Sequence, residues 1–169
     1  MRGALIAVLF VTPAFAQDPE APPFDASLID ACLEQASQDA QPDYAACIGA
    51  ASGPCMNSPE GSSTAGMSYC LGRELDVWDA RLNDSYARVI EAARATDAEM
   101  TRMGSAAEQQ EPLFRQMQRD WITFRDSACE YERSRWGGGT GGGPASLSCS
   151  LELTARQYLR LRAYEPGNE

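Results

Sequence analysis

Six cysteines, a set of acid, amide and guanidinium side chains at helical spacing, and a tryptophan beside a glycine-rich loop are the residues here that could do chemistry. The cysteines, Cys32, Cys47, Cys55, Cys70, Cys129 and Cys149, could oxidise to disulfides or hold a metal. No CxxC occurs and the chain has no histidine, so a structural zinc site, which takes closely spaced cysteine and histidine ligands, is not expected. Oxidation is the expectation. Six cysteines permit many pairings that sequence does not separate; the sequential one, Cys32 to Cys47, Cys55 to Cys70 and Cys129 to Cys149, is favoured because each bridge then closes one loop between elements.

Asp79, Asn83 and Tyr86 stand at i, i+4 and i+7, on one face of any helix that contains them. Arg125, beside Asp126, and Arg156 are natural partners for that face from the two following segments. A cluster of this kind fixes helix register, and each buried member left unpaired costs about 1 to 3 kcal/mol. The competing reading is a ligand-binding cluster lining a pocket. Carboxylate pairs such as Glu130 with Glu132 and Asp97 with Glu99 could serve a glycan hydrolase in principle. Near neighbours on a helix point apart, however, and histidine, the commonest general base near neutral pH, is missing. No catalytic residue and no cofactor is expected.

Trp136 opens the stretch Trp136, Gly137, Gly138, Gly139, Thr140, followed by three more glycines to Gly143. The loop lacks a Walker lysine and follows a helical pattern, so it is no phosphate cradle. A large aromatic beside such a turn is a candidate interface anchor, or it caps the end of a core.

The elements that must position these residues read as helices. Arg2, the apolar run Ala4 to Val11, Pro13 and the small-residue site Ala14-Phe15-Ala16 resemble a Sec-type bacterial signal peptide, residues 1–16, cleaved after Ala16. Its apolar core is shorter than the roughly 20 residues that span a bilayer, and no lipid-anchoring cysteine follows the cleavage site. The expected location is the periplasm or the exterior, without a membrane anchor. Residues 17–26, with Pro19, Pro22 and Pro23, read as a flexible lead-in. Residues 27–54 read as two short disulfide-linked helices. One is N-capped by Ser27 and runs to about Ser37; the other covers about Asp43 to Ala51 and is stopped by Gly53-Pro54.

Residues 55–165 carry the body. Met67, Leu71, Leu75, Trp78, Leu82, Val89, Ala93 and Met100 recur at helical steps and predict one long helix from Thr64 to about Met103, roughly 60 Å at 1.5 Å per residue. A second helix starts near Pro112 with the face Leu113, Met117, Trp121, Phe124, Ala128 and Tyr131. The glycine loop ends it, and a third runs from about Ser148 to Ala163 with Leu151, Thr154, Tyr158 and Leu161 inward. Trp78, Trp121 and Phe124 lie on these apolar stripes and are expected in the core. The fold class is all-α, an antiparallel bundle of three main helices with short disulfide-stapled N-terminal helices, in one domain.

The chain has 14 basic and 24 acidic residues, and every basic residue is arginine. Removal of residues 1–16 takes away Arg2 and leaves 13 against 24, a net charge of −11. Nucleic acid is therefore an unsuitable partner, since phosphate binding needs a basic footprint. A cationic protein suits the charge.

Cys70 with Glu74, then Asp79, Leu82, Asn83 and Tyr86, then Gln118, Trp121, Arg125, Asp126 and Cys129, and finally Cys149, Thr154, Arg156 and Leu159 resemble the lysozyme inhibitor LprI-like family of bacterial exported proteins. The resemblance covers about Cys55 to Leu161. It implies an all-helical, disulfide-bonded envelope protein, and a lysozyme-type muramidase as partner. The sequence differs from the mycobacterial lipoprotein behind the family's name in lacking a lipobox cysteine and in adding the region of Cys32 and Cys47. The expected function is that of a muramidase inhibitor, blocking by shape and charge. The alternatives are a periplasmic structural or stress-related module with another envelope partner and, third, a peptidoglycan-active enzyme.

Overall fold

The computed structural model describes residues 21–167; the expected signal peptide and the first residues of the lead-in lie outside them. Five α-helices follow in order: α1 (Ser27–Ala36), α2 (Ser52–Met56), α3 (Thr64–Arg102), α4 (Gln110–Ser134) and α5 (Gly142–Arg162), with a 3-10 turn at Tyr44–Cys47 between α1 and α2. There is no strand among the described residues. The all-α class and the three-helix body are as the apolar periodicity predicts.

α3 is the spine. Its inward residues Leu71, Trp78, Leu82, Val89 and Ala93 are buried, and α5 packs along it through Leu151, Thr154, Ala155 and Leu161. Trp78 is fully buried and tilts against Tyr158 of α5 at 5.7 Å. Ile29, Cys47 and Ala51 close the amino-terminal end of this core. The disulfides pair sequentially: Cys32 with Cys47 ties α1 to the 3-10 turn, Cys55 with Cys70 ties α2 to α3, and Cys129 with Cys149 ties α4 to α5.

Several boundaries differ from expectation, each for a local reason. Ser27 lies inside α1 and is not its N-cap, which is Ala26; the Asp25 carboxylate ahead of it accepts from the Ser27 N–H at 2.9 Å and the Ser27 hydroxyl at 2.7 Å. The expected second helix is instead the 3-10 turn, and Gly53-Pro54, read as a stop, sits inside α2. Proline is tolerated in a first helical turn because its missing N–H would have no intrahelical partner there. α5 starts at Gly142, six residues before Ser148, with buried Pro144 in its first turn. Phe24, at the end of the expected lead-in, packs on the core with the Arg73 guanidinium 5.8 Å from its ring.

The largest departure is α4. Leu113, Phe124 and Tyr131 are 58, 59 and 66% exposed, and Trp121 is half-buried. Cys129 is the one buried residue of the helix, and half-buried Gln118 reaches α5, where its side-chain oxygen accepts from Gln157 Nε2 at 2.9 Å. The disulfide and this amide pair turn a polar flank of α4 inward. The apolar stripe therefore points away from the core that its periodicity predicts.

Candidate functional site

The residues expected to form one interhelical polar cluster are spread over separate local pairs. Asn83 donates to Asp79 at 2.9 Å on exposed α3 surface. Tyr86 stacks on Phe114 of α4 with centroids 5.4 Å apart, and its hydroxyl accepts from Arg115 at 3.3 Å. Arg125 bonds its neighbour Asp126 at 2.9 Å and lies over the Trp121 ring at 5.0 Å. Arg156 bonds Glu152 one turn earlier on α5. Neither arginine joins Asp79 or Asn83 in these pairs. A flexible guanidinium at the surface finds a carboxylate on its own helix with less ordering than one on another element.

Side chains outside the expected cluster make further interhelical polar contacts. Asp97 of α3 accepts the backbone N–H groups of Gln110 and Glu111 at 2.7 and 2.9 Å, capping α4, whose own N-cap Gln109 makes no side-chain bond. Arg94 of α3 reaches Glu111 at 2.9 Å, and Arg115 reaches it at 2.8 Å. Hydrogen bonds from Arg94 and then Arg115 hold the Glu111 carboxyl below the usual range. Arg88 binds Glu165 through two bonds of 3.0 and 2.8 Å, tying the carboxy-terminal segment to α3. That pairing lowers Glu165 and raises Arg88.

Glu74 is the polar residue at the centre of the core. It is fully buried, and its two oxygens accept from the backbone N–H groups of Gly49, Ala51 and Ser52 at 2.7, 3.1 and 2.6 Å and from Trp78 Nε1 at 3.0 Å. It caps α2 from α3 and orients the central tryptophan. A glutamate at i+4 from Cys70 and i−4 from Trp78, on the buried stripe, is the sequence signal for this role. The arrangement is architectural, with every acceptor occupied.

The glycine loop is the candidate site that stands at the surface. Gly137 and Gly138 take left-handed φ of 56° and 84°, and the chain closes through Gly139 N–H to the Trp136 carbonyl at 2.9 Å and Gly142 N–H to the Gly139 carbonyl at 3.1 Å. The Trp136 ring lies on the Gly141 backbone: a Cβ there would come within 2.3 Å of it. Trp136 is nevertheless 54% exposed, so one part of the indole is bedded and the rest offered to solvent. Beside it runs an open groove lined by Glu132, Arg135, Ala145, Ser148, Glu152 and Cys149, the last of these bridged to Cys129. Glu132 pairs with Arg135 at 2.9 Å, and Glu152 with Arg156.

The groove thus sets a half-exposed aromatic beside two carboxylates, each already paired with an arginine. The carboxylate pairs singled out as hydrolase candidates have other work: Glu130 lies 3.4 Å from Arg133, Glu99 pairs with Arg102, and Asp97 caps α4. Among the described residues no group of three or more Cys, Asp or Glu is placed to hold a metal ion. No helix among them is long and apolar enough to cross a membrane.

Comparison with known proteins follows the same residues. A family model described as lysozyme inhibitor LprI matches residues 55–161, the stretch from α2 through α5. An uncharacterized protein of Rhizobium meliloti (strain 1021) is 29% identical over 96 residues, 57% of this chain and 69% of its own length. An uncharacterized 17.7 kDa protein encoded in the puhA 5′ region of Rhodobacter capsulatus is 26% identical over 137 residues, 80% of this chain and 83% of that one. No solved structure matches.

Proposed function

Because the chain belongs to the lysozyme inhibitor LprI family, we propose that it is an exported binding protein that blocks a cationic lysozyme-type muramidase. The family match over residues 55–161 is the observation that carries this reading. The net charge supports it: at −11 without residues 1–16, the protein would draw a basic enzyme by long-range attraction.

The exposed edge of Trp136 and the adjoining groove with Glu132 and Glu152 are the contact surface. The ring is already bedded on Gly141, so little side-chain freedom is lost when it docks. Glu132 and Glu152 release their intramolecular arginines and take basic side chains of the enzyme, while the loop covers the glycan cleft. The protein acts by occupancy and turns over no substrate. Export by a signal peptide to the periplasm or beyond brings it to where muramidases attack.

The test is lysozyme turnover on a cell-wall suspension with added purified, disulfide-bonded protein. Saturable inhibition is expected at low salt, weakening as ionic strength rises and the Debye length shrinks toward about 8 Å at 0.15 M. Trp136→Ala should weaken inhibition by about tenfold or more, the scale of an aromatic anchor. Unchanged turnover at low salt, with no complex by calorimetry, would end the proposal.

A further inference from the structure

The apolar stripe on α4 has no partner within the described fold. Leu113, Phe124 and Tyr131, 58, 59 and 66% exposed, fall within about 20° of one another at 100° per residue, with half-buried Met117 and Ala128 beside them. Together they present an apolar surface on the order of 400 Å², the size at which the largest patch on a monomer is often functional. Met117, Trp121, Phe124, Ala128 and Tyr131 also alternate in steps of four and three, the heptad seam along which one helix packs lengthwise on another. The stripe is thus shaped for a helix.

Charge selects which helix. The whole chain carries −10, yet α4 through its C-cap Arg135 carries five arginines, Arg115, Arg119, Arg125, Arg133 and Arg135, against five carboxylates. The flank beside the stripe is uncharged at Gln116, Thr123, Ser127 and Ser134, and its one carboxylate, Asp120, accepts a hydrogen bond from Gln116 at 2.7 Å. A basic partner gains no attraction from a balanced face. Two copies of an acidic protein, in contrast, repel least through a face that carries no net charge.

From this we infer that α4 is the interface of a two-fold homodimer, its stripe packed on the same stripe of a second copy. Such an isologous contact requires a self-complementary surface, which a charge-balanced apolar seam supplies. Two stripes bring together about 800 Å² of apolar surface, and the flank of Gln116, Thr123, Ser127 and Ser134 extends this toward the roughly 1,200 Å² at which specific interfaces begin. An interface of this size stands at the small end of specific association, where transient contacts are found. None of the stripe residues lines the Trp136 groove, and the inference stands or falls independently of lysozyme binding.

Sedimentation equilibrium of the disulfide-bonded protein from about 1 to about 500 µM decides the matter. A monomer-dimer equilibrium is expected, holding or tightening as salt rises from about 0.05 to about 0.5 M, because added salt screens the repulsion between acidic copies. Phe124→Arg should weaken it at least tenfold, and Tyr131→Glu, at the most exposed position of the stripe, should do the same. Helix content by circular dichroism serves as the folding check; if Phe124→Arg fails it, Tyr131→Glu alone decides. A monomer throughout, a dimer that neither folded variant weakens, or a dimer that dissolves with salt would each overturn the inference.

Discussion

Glu74 sits where an unpaired polar group would be most costly, and four donors converge on it. Its two oxygens serve purely as acceptors, which an amide cannot copy. In Glu74→Gln an N–H₂ group must face at least one backbone N–H or the indole, leaving a buried donor unmet. The expected loss is about 2 to 3 kcal/mol, lowering the melting midpoint by roughly 6 to 12 °C. A thermal melt that superimposes on that of the parent protein would show that the four bonds do not hold the module of residues 49–52. The expected polar cluster fared differently. Asp79, Asn83, Arg125 and Arg156 share helical spacing, but spacing says nothing of which carboxylate an arginine will meet first, and for Arg125 and Arg156 that is a neighbour on the same helix. Glu74 was legible only beside Cys70 in the family resemblance, because three of its four partners are backbone groups, which sequence does not display.

At the scale of elements, α3 runs from Thr64 to Arg102 almost as its apolar period predicts, since a 39-residue pattern averages out local exceptions. Shorter elements were legible less well. The start of α5 was hidden because glycines that disfavour a free helix are held by contact here: Gly142 is buried against Arg133, and Gly141 lies under Trp136. The outward face of α4 was hidden for another reason. Its pattern fixes which residues share a face, while the Cys129 to Cys149 bridge and the Gln118 to Gln157 bond fix which way that face turns. Substitution at Gly141 tests the loop as a unit. Gly141→Ala should lift the Trp136 ring from its bed, costing about 1 to 3 kcal/mol as overpacking does. The indole N–H resonance of Trp136 should shift as well. An unshifted resonance and an unchanged melt together would refute the bedded geometry.

Across the whole molecule, acid should act on the ties between α3 and its neighbours. Arg88 holds Glu165, and Arg94 with Arg115 holds Glu111, below the ordinary glutamate value of 4.5. A carboxylate with a depressed folded pKa stabilises the fold above its unfolded value, and that contribution is lost as pH falls through the folded one. Stability should therefore be level above about pH 5 and decline below about pH 4. Glu165→Gln should start lower at neutral pH and show a shallower acid limb in melting midpoints measured from pH 7 downward. Parallel acid limbs in parent and variant would assign the decline to other groups. The pairs are exposed or half-exposed, so the effect is graded and falls with salt.

The bridges join cysteines that are consecutive in chain order: first to second, third to fourth, fifth to sixth. A chain that emerges amino-terminus first presents Cys47 when Cys32 is the only free thiol before it, then Cys70 when only Cys55 is waiting. An oxidant that links each new thiol to the one still free writes the native pattern in a single pass, with no reshuffling of mispaired intermediates. The same order closes the leading module covalently before Glu74, four residues behind Cys70, has arrived to anchor it.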